Sequence, residues 1–121
     1  MTGAVETALR ARIDAGSKCL VPYVTGGLGD DWLDTVRAVA AAGADVIEIG
    51  MPFSDPVMDG PTIQEANDRA LEAGVTPQTI LDDLRHADIG VPTAVMTYGN
   101  IAYHMGFERF ANSLAAAGVS G

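Results

Sequence analysis

The 121-residue sequence is poor in cysteine and in basic residues, with one cysteine, Cys19, and seven basic residues against 16 acidic ones. A single cysteine excludes an internal disulfide and fits a reducing compartment. We interpret Cys19 as a small apolar residue entering a strand. The net charge of -9 argues against nucleic acid or an anionic membrane as a partner. No apolar run reaches the roughly 20 residues that span a bilayer, and the N-terminus lacks the apolar core of a signal peptide. These shortages predict a cytoplasmic protein with neither nucleic-acid nor membrane partners.

Three apolar segments have the composition of buried strands: CLVPYVT (19–25), DVIEIGM (45–51) and VPTAVMTYGN (91–100). Helical patterns separate them, and Val119 would begin a fourth strand. Strands that alternate with helices imply right-handed crossovers and a parallel sheet, and hence an α/β fold. The recurring βα unit suits a (β/α)₈ barrel, which needs ~200 residues or more. We therefore expect residues 1–121 to form one partial-barrel domain, an N-terminal helix followed by three βα units.

Capping signals mark the predicted helix boundaries. Thr62 and Glu65, three residues apart, predict a capping box for a helix that runs to Gly74. Thr76 followed by Pro77 predicts the start of the next helix. The other predicted helices cover residues 3–15, the segment from Asp30 or Asp31 to Gly43, and residues 107–117, the last with Phe107, Phe110 and Leu114 on one face.

Glu48 is an isolated carboxylate inside the second apolar strand. Because side chains alternate along a strand, Glu48 shares a face with Gly50, opposite Ile47 and Ile49. In a barrel that face is the interior, and Glu48 lies near the strand's C-terminal end, where βα folds place their chemistry. We expect Gly50 to leave an open space above Glu48. The pattern favours a catalytic Glu48 over a structural one that an interior arginine or backbone donors would satisfy.

The loop after this strand, MPFSDPVMDGP, carries Asp55 and Asp59. Both also fit ordinary turn chemistry, since Asp55 precedes a proline and Asp59 precedes Gly-Pro. Two aspartates could suggest a metal, but no histidine joins them at ligand spacing. His86 belongs to a predicted helix and His104 to a predicted loop. The residues alone therefore predict no metal site and leave both interpretations of the two aspartates open.

Four segments together resemble a known family: LVPYVTGG, AGADVIEIGMPFSDPVMDGPTIQEANDRAL, GVTPQTIL and VMTYGNIAYHMGFERF. In order, without large gaps and from residue 18 onward, they are similar to the α subunit of tryptophan synthase. The resemblance implies a (β/α)₈ barrel lyase of tryptophan biosynthesis that cleaves indole-3-glycerol phosphate to indole and glyceraldehyde 3-phosphate. It implies no cofactor in this subunit, pyridoxal phosphate in the β subunit, and an α₂β₂ assembly with that partner.

The resemblance also implies roles for individual residues. Glu48 matches the catalytic acid/base, and Asp59 matches the carboxylate that binds the indole N–H. Positions that line the indole pocket match Tyr23, Met96 and Tyr98. Positions that face the β subunit match Pro52, Phe53, Asp55, Pro56 and Asn100. Tyr23 stands where the family often has phenylalanine.

The family's phosphate-binding glycine loops and its mobile closing loop belong to later strands, which this sequence does not include. We therefore expect the 121 residues alone to lack lyase activity. The alternative is a non-catalytic partial barrel that docks on or regulates a β-type partner through residues 52–59. The gene beyond Gly121 would discriminate, because a glycine-rich phosphate site there favours the enzyme and a natural stop favours the interaction module.

Overall fold

The structure, a computed structural model, describes residues 3–121; Met1 and Thr2, which belong to the predicted domain 1–121, lie outside the described residues. Its elements follow the predicted order with one additional helix, α5 (Gly99–Met105). They are α1 Ala4–Asp14, β1 Tyr23–Thr25, α2 Trp32–Ala41, β2 Ile47–Gly50, α3 Pro61–Glu72, α4 Pro77–Arg85, β3 Thr93–Met96, α5 Gly99–Met105 and α6 Phe107–Ala116.

The strands form one parallel sheet in the order β1-β2-β3, which confirms the predicted topology. The register places Tyr23 beside Glu48, and Glu48 beside Ala94. Ile47 and Ile49 are fully buried in the core, whereas Glu48 is half-buried. The alternation along β2 therefore places Glu48 on the face away from this core, as the spacing predicted.

The core lies between one face of the sheet and the helices. Ile47 and Ile49 share this core with Val36 of α2 and Leu81 of α4. Trp32, at the start of α2, donates a hydrogen bond from Nε1 to Asp83 Oδ2 of α4 at 3.0 Å. These contacts fix the helical layer against the sheet and leave the Glu48 face free for a site.

The first strand is shorter than predicted. Leu20 and Val21 are exposed, and the strand begins only at Tyr23. The Leu20 N–H donates to Asp45 Oδ2 at 2.8 Å, a side-chain acceptor, and Pro22 has no N–H to give. The interpretation of Cys19 as a residue entering a buried strand is wrong, because Cys19 is exposed and precedes the strand, at the edge of the sheet.

One predicted cap is wrong and one is confirmed. Helix α3 has Gly60 as its N-cap and Pro61 at its first position, so Thr62 already lies inside the helix and cannot cap it. Helix α4 carries the capping box of Thr76 and Thr79, in which each residue's N–H donates to the other's Oγ1, at 3.2 and 3.0 Å. A proline at the first helical position occurs in both segments, and in α3 the glycine before it replaces the side-chain cap.

The third strand ends at Met96, and residues 99–105 form α5, a helix that the sequence analysis missed. His104 therefore lies in a helix, not in a loop. Gly106, with φ +91°, separates α5 from α6. Phe107 is exposed instead of sharing the inward face with Phe110, because it opens α6 and its ring meets Tyr103 edge to face at 6.1 Å.

The last residues run beside β3. The Ser120 N–H donates to Thr93 O at 2.8 Å, and the Val95 N–H donates to Gly121 O at 2.9 Å. The chain thus turns back to the sheet where the sequence predicts the start of a fourth strand. Between residues 3 and 121, none of the helices combines the length and the apolar composition needed to cross a membrane.

Candidate functional site

A cavity of about 320 Å³ opens at the C-terminal ends of the strands. It brings together four side chains that the sequence analysis singled out, namely Tyr23, Asp59, Met96 and Tyr98. Glu48 does not line this cavity, but it is the neighbour of Tyr23 in the register of β1 and β2. Because the pair are register neighbours, their side chains leave the same face of the sheet. Segments far apart in the chain thus meet around one aromatic-rich cavity.

Asp59 is held in place by its own loop, by Tyr98 just before α5 and by Gln64 of α3. The Tyr98 hydroxyl donates to Asp59 Oδ2 at 2.8 Å and accepts a hydrogen bond from the Met58 N–H at 3.0 Å. The Gln64 side-chain amide donates to the Asp59 carbonyl at 2.8 Å. The turn chemistry expected for Asp59 is also present, since its N–H donates to Pro56 O at 3.0 Å. Asp59 is therefore both a turn residue and a fixed carboxylate at the cavity wall.

The ring of Tyr98 connects this carboxylate to the outer part of the loop. It stacks on Phe53 with ring centroids 5.1 Å apart and an interplanar angle of 22°. Phe53 belongs to the segment that the resemblance assigns to a partner surface. Phe53 therefore contacts the same ring whose hydroxyl binds Asp59.

The Tyr23 hydroxyl is close to both carboxylates. Burial raises the pKa of Tyr23, a hydrogen bond with Thr25 opposes this, and the negative charges of Asp59 and Glu48 raise the pKa further. Partial burial also raises the pKa of Tyr98, and its hydrogen bond to Asp59 adds to the effect. Both phenols stay neutral at neutral pH and can donate hydrogen bonds to carboxylates.

The sequence analysis expected Gly50 to leave an open space above Glu48, and this expectation is wrong. A Cβ built on Gly50 would overlap the Tyr23 ring and its hydroxyl. The absent side chain of Gly50 therefore makes room for the Tyr23 ring.

Residues 52–59, the segment predicted to face a partner, contain both exposed and buried side chains. Asp55 is exposed and accepts a hydrogen bond from Ser54 Oγ at 2.9 Å, whereas Pro52 and Pro56 are buried and shape the loop from inside. Asn100 is exposed at the start of α5 and lines a second cavity, of about 410 Å³, together with Phe53. The sequence analysis did not single out Val57 and Met58, which are 80% and 87% exposed. The tip of this loop therefore presents two apolar side chains to solvent.

Asn67 is a buried polar residue of the cavity wall that sequence reasoning missed. It lies on α3, is only 2% exposed and lines the cavity. A signal for it exists in the sequence, because Ile63, Asn67 and Ala70 follow helical spacing on the inward face of α3 and only Asn67 is polar. A polar residue at a core position of a helix is a reason to look for a site.

No group of three or more His, Cys, Asp or Glu side chains within the described part of the chain could hold a metal ion. The site has two carboxylates, Asp59 in the cavity wall and Glu48 beside Tyr23. Aromatic and apolar side chains line the cavity together with the Asp59 carboxylate, whereas Glu48 lies beside Tyr23 on the same face of the sheet.

A family model described as tryptophan synthase alpha chain matches residues 9–121. The chain is 47% identical to the tryptophan synthase alpha chain of Halorhodospira halophila, over 97% of this chain and 45% of that relative, and 44% identical to that of Nitratidesulfovibrio vulgaris, over 97% and 47%. The chain thus spans about half the length of the curated relatives it matches.

Solved structures of tryptophan synthase have the same fold as this chain over nearly its whole length. A ligand-free crystal structure of tryptophan synthase from M. tuberculosis superposes with a TM-score of 0.92 at 35% identity, over 99% of this chain and 50% of that chain. The tryptophan synthase subunit alpha from Legionella pneumophila superposes with a TM-score of 0.84 at 31% identity, over 98% and 47%. The predicted fold class is confirmed, and these residues are the first three βα units of a (β/α)₈ barrel.

Proposed function

The chain belongs to the family of tryptophan synthase alpha chains, and we propose from this membership that the protein carrying it cleaves indole-3-glycerol phosphate to indole and glyceraldehyde 3-phosphate. The observation that carries the proposal is the cavity at the strand ends, where Asp59 and two tyrosines meet beside Glu48. This is the end of a βα barrel where active sites lie.

Substrate binding follows from the cavity wall. The indole ring would lie against Tyr23, Met96 and Tyr98, with its N–H toward Asp59. The hydrogen bond from Tyr98 holds the Asp59 carboxylate at a fixed position, so little reorganisation is needed when charge develops on the ring. The phosphate would bind outside these 121 residues.

Bond cleavage needs a proton at the ring carbon that bears the glycerol chain. Glu48 donates this proton, and the positive charge that gathers at the ring nitrogen is stabilised by Asp59. Glu48, now ionised, accepts the proton of the hydroxyl on the adjoining carbon. The carbonyl of glyceraldehyde 3-phosphate forms, the carbon–carbon bond breaks, and its electron pair returns to the ring to give indole.

The proposal includes a β-type partner and a cytoplasmic location. Phe53, Asp55 and Asn100 would face the partner, with Pro52 and Pro56 holding the loop that presents them. Pyridoxal phosphate would belong to that partner, and this subunit would use neither a cofactor nor a metal. Because Phe53 stacks on Tyr98, partner binding at Phe53 would alter the position of the Asp59 carboxylate that Tyr98 holds.

The test uses the natural gene product that carries this sequence, assayed for indole release with and without its β partner. Glu48→Gln should lower the rate by about 10²–10⁴-fold because an amide cannot shuttle a proton. Asp59→Asn should lower it by about 10²–10³-fold because a neutral amide cannot offset the ring charge. Glu72→Gln and Asp68→Asn make the same changes at exposed positions of α3 and are the controls.

If Glu48→Gln keeps the rate within a few-fold of the wild type, Glu48 is a structural carboxylate and the proposed mechanism is wrong. A wild-type protein that activates a β partner without releasing indole would instead support the alternative of a non-catalytic docking module.

A further inference from the structure

Gln64 makes a hydrogen bond that the proposed mechanism does not use. It lies on the first turn of α3, and its Nε2 donates to the backbone carbonyl oxygen of Asp59 at 2.8 Å. Its own N–H makes the ordinary helical bond to Gly60 O at 3.0 Å. Gln64 is exposed, and the cavity wall, within residues 3–121, does not include it. The route from Gln64 to the cavity is therefore Asp59.

The residues between Asp59 and the body of α3 offer little to tie the loop to the helix. Gly60, the N-cap, has no side chain that could bind the loop, and Pro61 has no N–H. The Asp59 N–H donates to Pro56 O at 3.0 Å, which stays within the same loop. The side-chain amide of Gln64 thus supplies the hydrogen bond that joins the main chain of Asp59 to the helix.

The helix gives Asp59 a packed support. Asn67 and Ala70 of α3 are only 2% and 1% exposed, so the helix is fixed in the protein interior. The Tyr98 hydroxyl holds the carboxylate of Asp59, and Gln64 holds its backbone. A group that stabilises developing charge must keep its place, because a small displacement of a catalytic group lowers the rate.

We infer that Gln64 is a positioning residue for Asp59, whose side-chain amide fixes the Asp59 backbone to α3 and so keeps the carboxylate in place at the cavity. The inference rests on the proposed function, in which Asp59 offsets the positive charge that develops on the indole ring. Gln64 itself touches no substrate. Its loss lowers the rate of bond cleavage only while residue 59 carries its charge.

The test measures kcat for indole release by the natural gene product, assayed without its β partner. Gln64→Met keeps the length of the side chain and removes the donor. We expect kcat to fall about 3- to 10-fold, the effect of one neutral hydrogen bond. Gln78→Met is the matched control and should leave kcat unchanged. Gln78 is exposed on α4 and donates to Asp82 Oδ1 at 2.9 Å, a bond of similar length that does not involve Asp59.

A double-mutant cycle separates positioning from a general effect on the fold. In an Asp59→Asn background, Gln64→Met should change kcat by less than about two-fold, because the charge that Gln64 positions is already absent. Gln64→Lys restores a donor for the same carbonyl oxygen. At high ionic strength, which screens the added charge, Gln64→Lys should recover most of the lost kcat.

A kcat for Gln64→Met within about two-fold of the Gln78→Met value would overturn the inference. An equal loss of kcat in both backgrounds would also overturn it, because Gln64 would then be a structural residue of the loop, and so would a Gln64→Lys variant that recovers nothing. A wild type that releases no indole would instead contradict the proposed function. Equilibrium dialysis of the same variants with indole would then decide the role of Gln64: weaker binding by Gln64→Met supports it, and unchanged binding refutes it.

Discussion

Replacing Tyr98 by phenylalanine removes one hydroxyl and keeps the ring that stacks on Phe53. Two hydrogen bonds disappear, the 2.8 Å bond to Asp59 Oδ2 and the 3.0 Å bond from the Met58 N–H. The first fixes the carboxylate that is proposed to stabilise the ring charge. The second is of little consequence, because Met58 is 87% exposed and water can accept from its N–H.

The size of the effect follows from the bond to Asp59. A hydrogen bond to a charged group is stronger than a neutral one, but Tyr98 is only half-buried and solvent weakens the interaction. We expect kcat/KM for indole-3-glycerol phosphate to fall about 5- to 30-fold. The Tm should change little, since the ring and its stacking remain. The loss would then belong to catalysis and not to folding.

The assay is indole release by the natural gene product, with Tyr103→Phe as the matched control. Tyr103 is 76% exposed on α5, and the same change removes a hydroxyl away from the cavity. A kcat/KM for Tyr98→Phe within two-fold of the Tyr103→Phe value would refute the claim that the Tyr98 hydroxyl positions Asp59.

Three further predictions concern the same loop and cavity. Asp55→Ala should keep basal cleavage but lose activation by the β partner, because within residues 3–121 the only side-chain hydrogen bond of Asp55 is with Ser54; loss of basal activity as complete as in Glu48→Gln would contradict this. The raised pKa of Tyr23 means that the folded protein holds the phenolic proton more tightly than the unfolded chain. The contribution of Tyr23 to the free energy of unfolding is therefore fully present below pH 10.0 and is lost as pH rises above it. Thermal melts from pH 8 to 11 should therefore show a smaller alkaline loss for Tyr23→Phe, and equal slopes would disprove it. Gly50→Ala should lower stability by about 1–3 kcal/mol through overpacking against the Tyr23 ring, and an unchanged Tm would show that the ring can move aside.

Much of the local structure followed from sequence patterns. The period of two along Val46–Gly50 correctly placed Glu48 on the face opposite Ile47 and Ile49. The Thr76-Pro77 signal correctly marked the start of α4. These features succeed because they depend on neighbours within one turn or one strand, where backbone geometry alone relates the side chains.

Features that depend on distant segments were wrong or were missed. The strand at residues 19–25 was predicted too long, because its apolar composition does not reveal that it lies at the sheet edge with Asp45 bonded to Leu20. One local signal also failed: the T-x-x-E pattern at Thr62 does not cap α3, because the adjacent Gly60-Pro61 step had already started the helix.

The sequence by itself determined the alternation of helices and strands, the parallel topology, the family, and the face of the sheet on which Glu48 lies. Only the tertiary structure decided the site around them. The bond between Tyr98 and Asp59 joins residues 39 positions apart, the Tyr23 ring fills the space at Gly50, and Asn67 of α3 lines the same cavity. Hydrophobic periodicity records which side of an element is buried, but hydrogen bonds and side-chain overlap depend on distances between elements, and packing sets these distances to within a few tenths of an ångström.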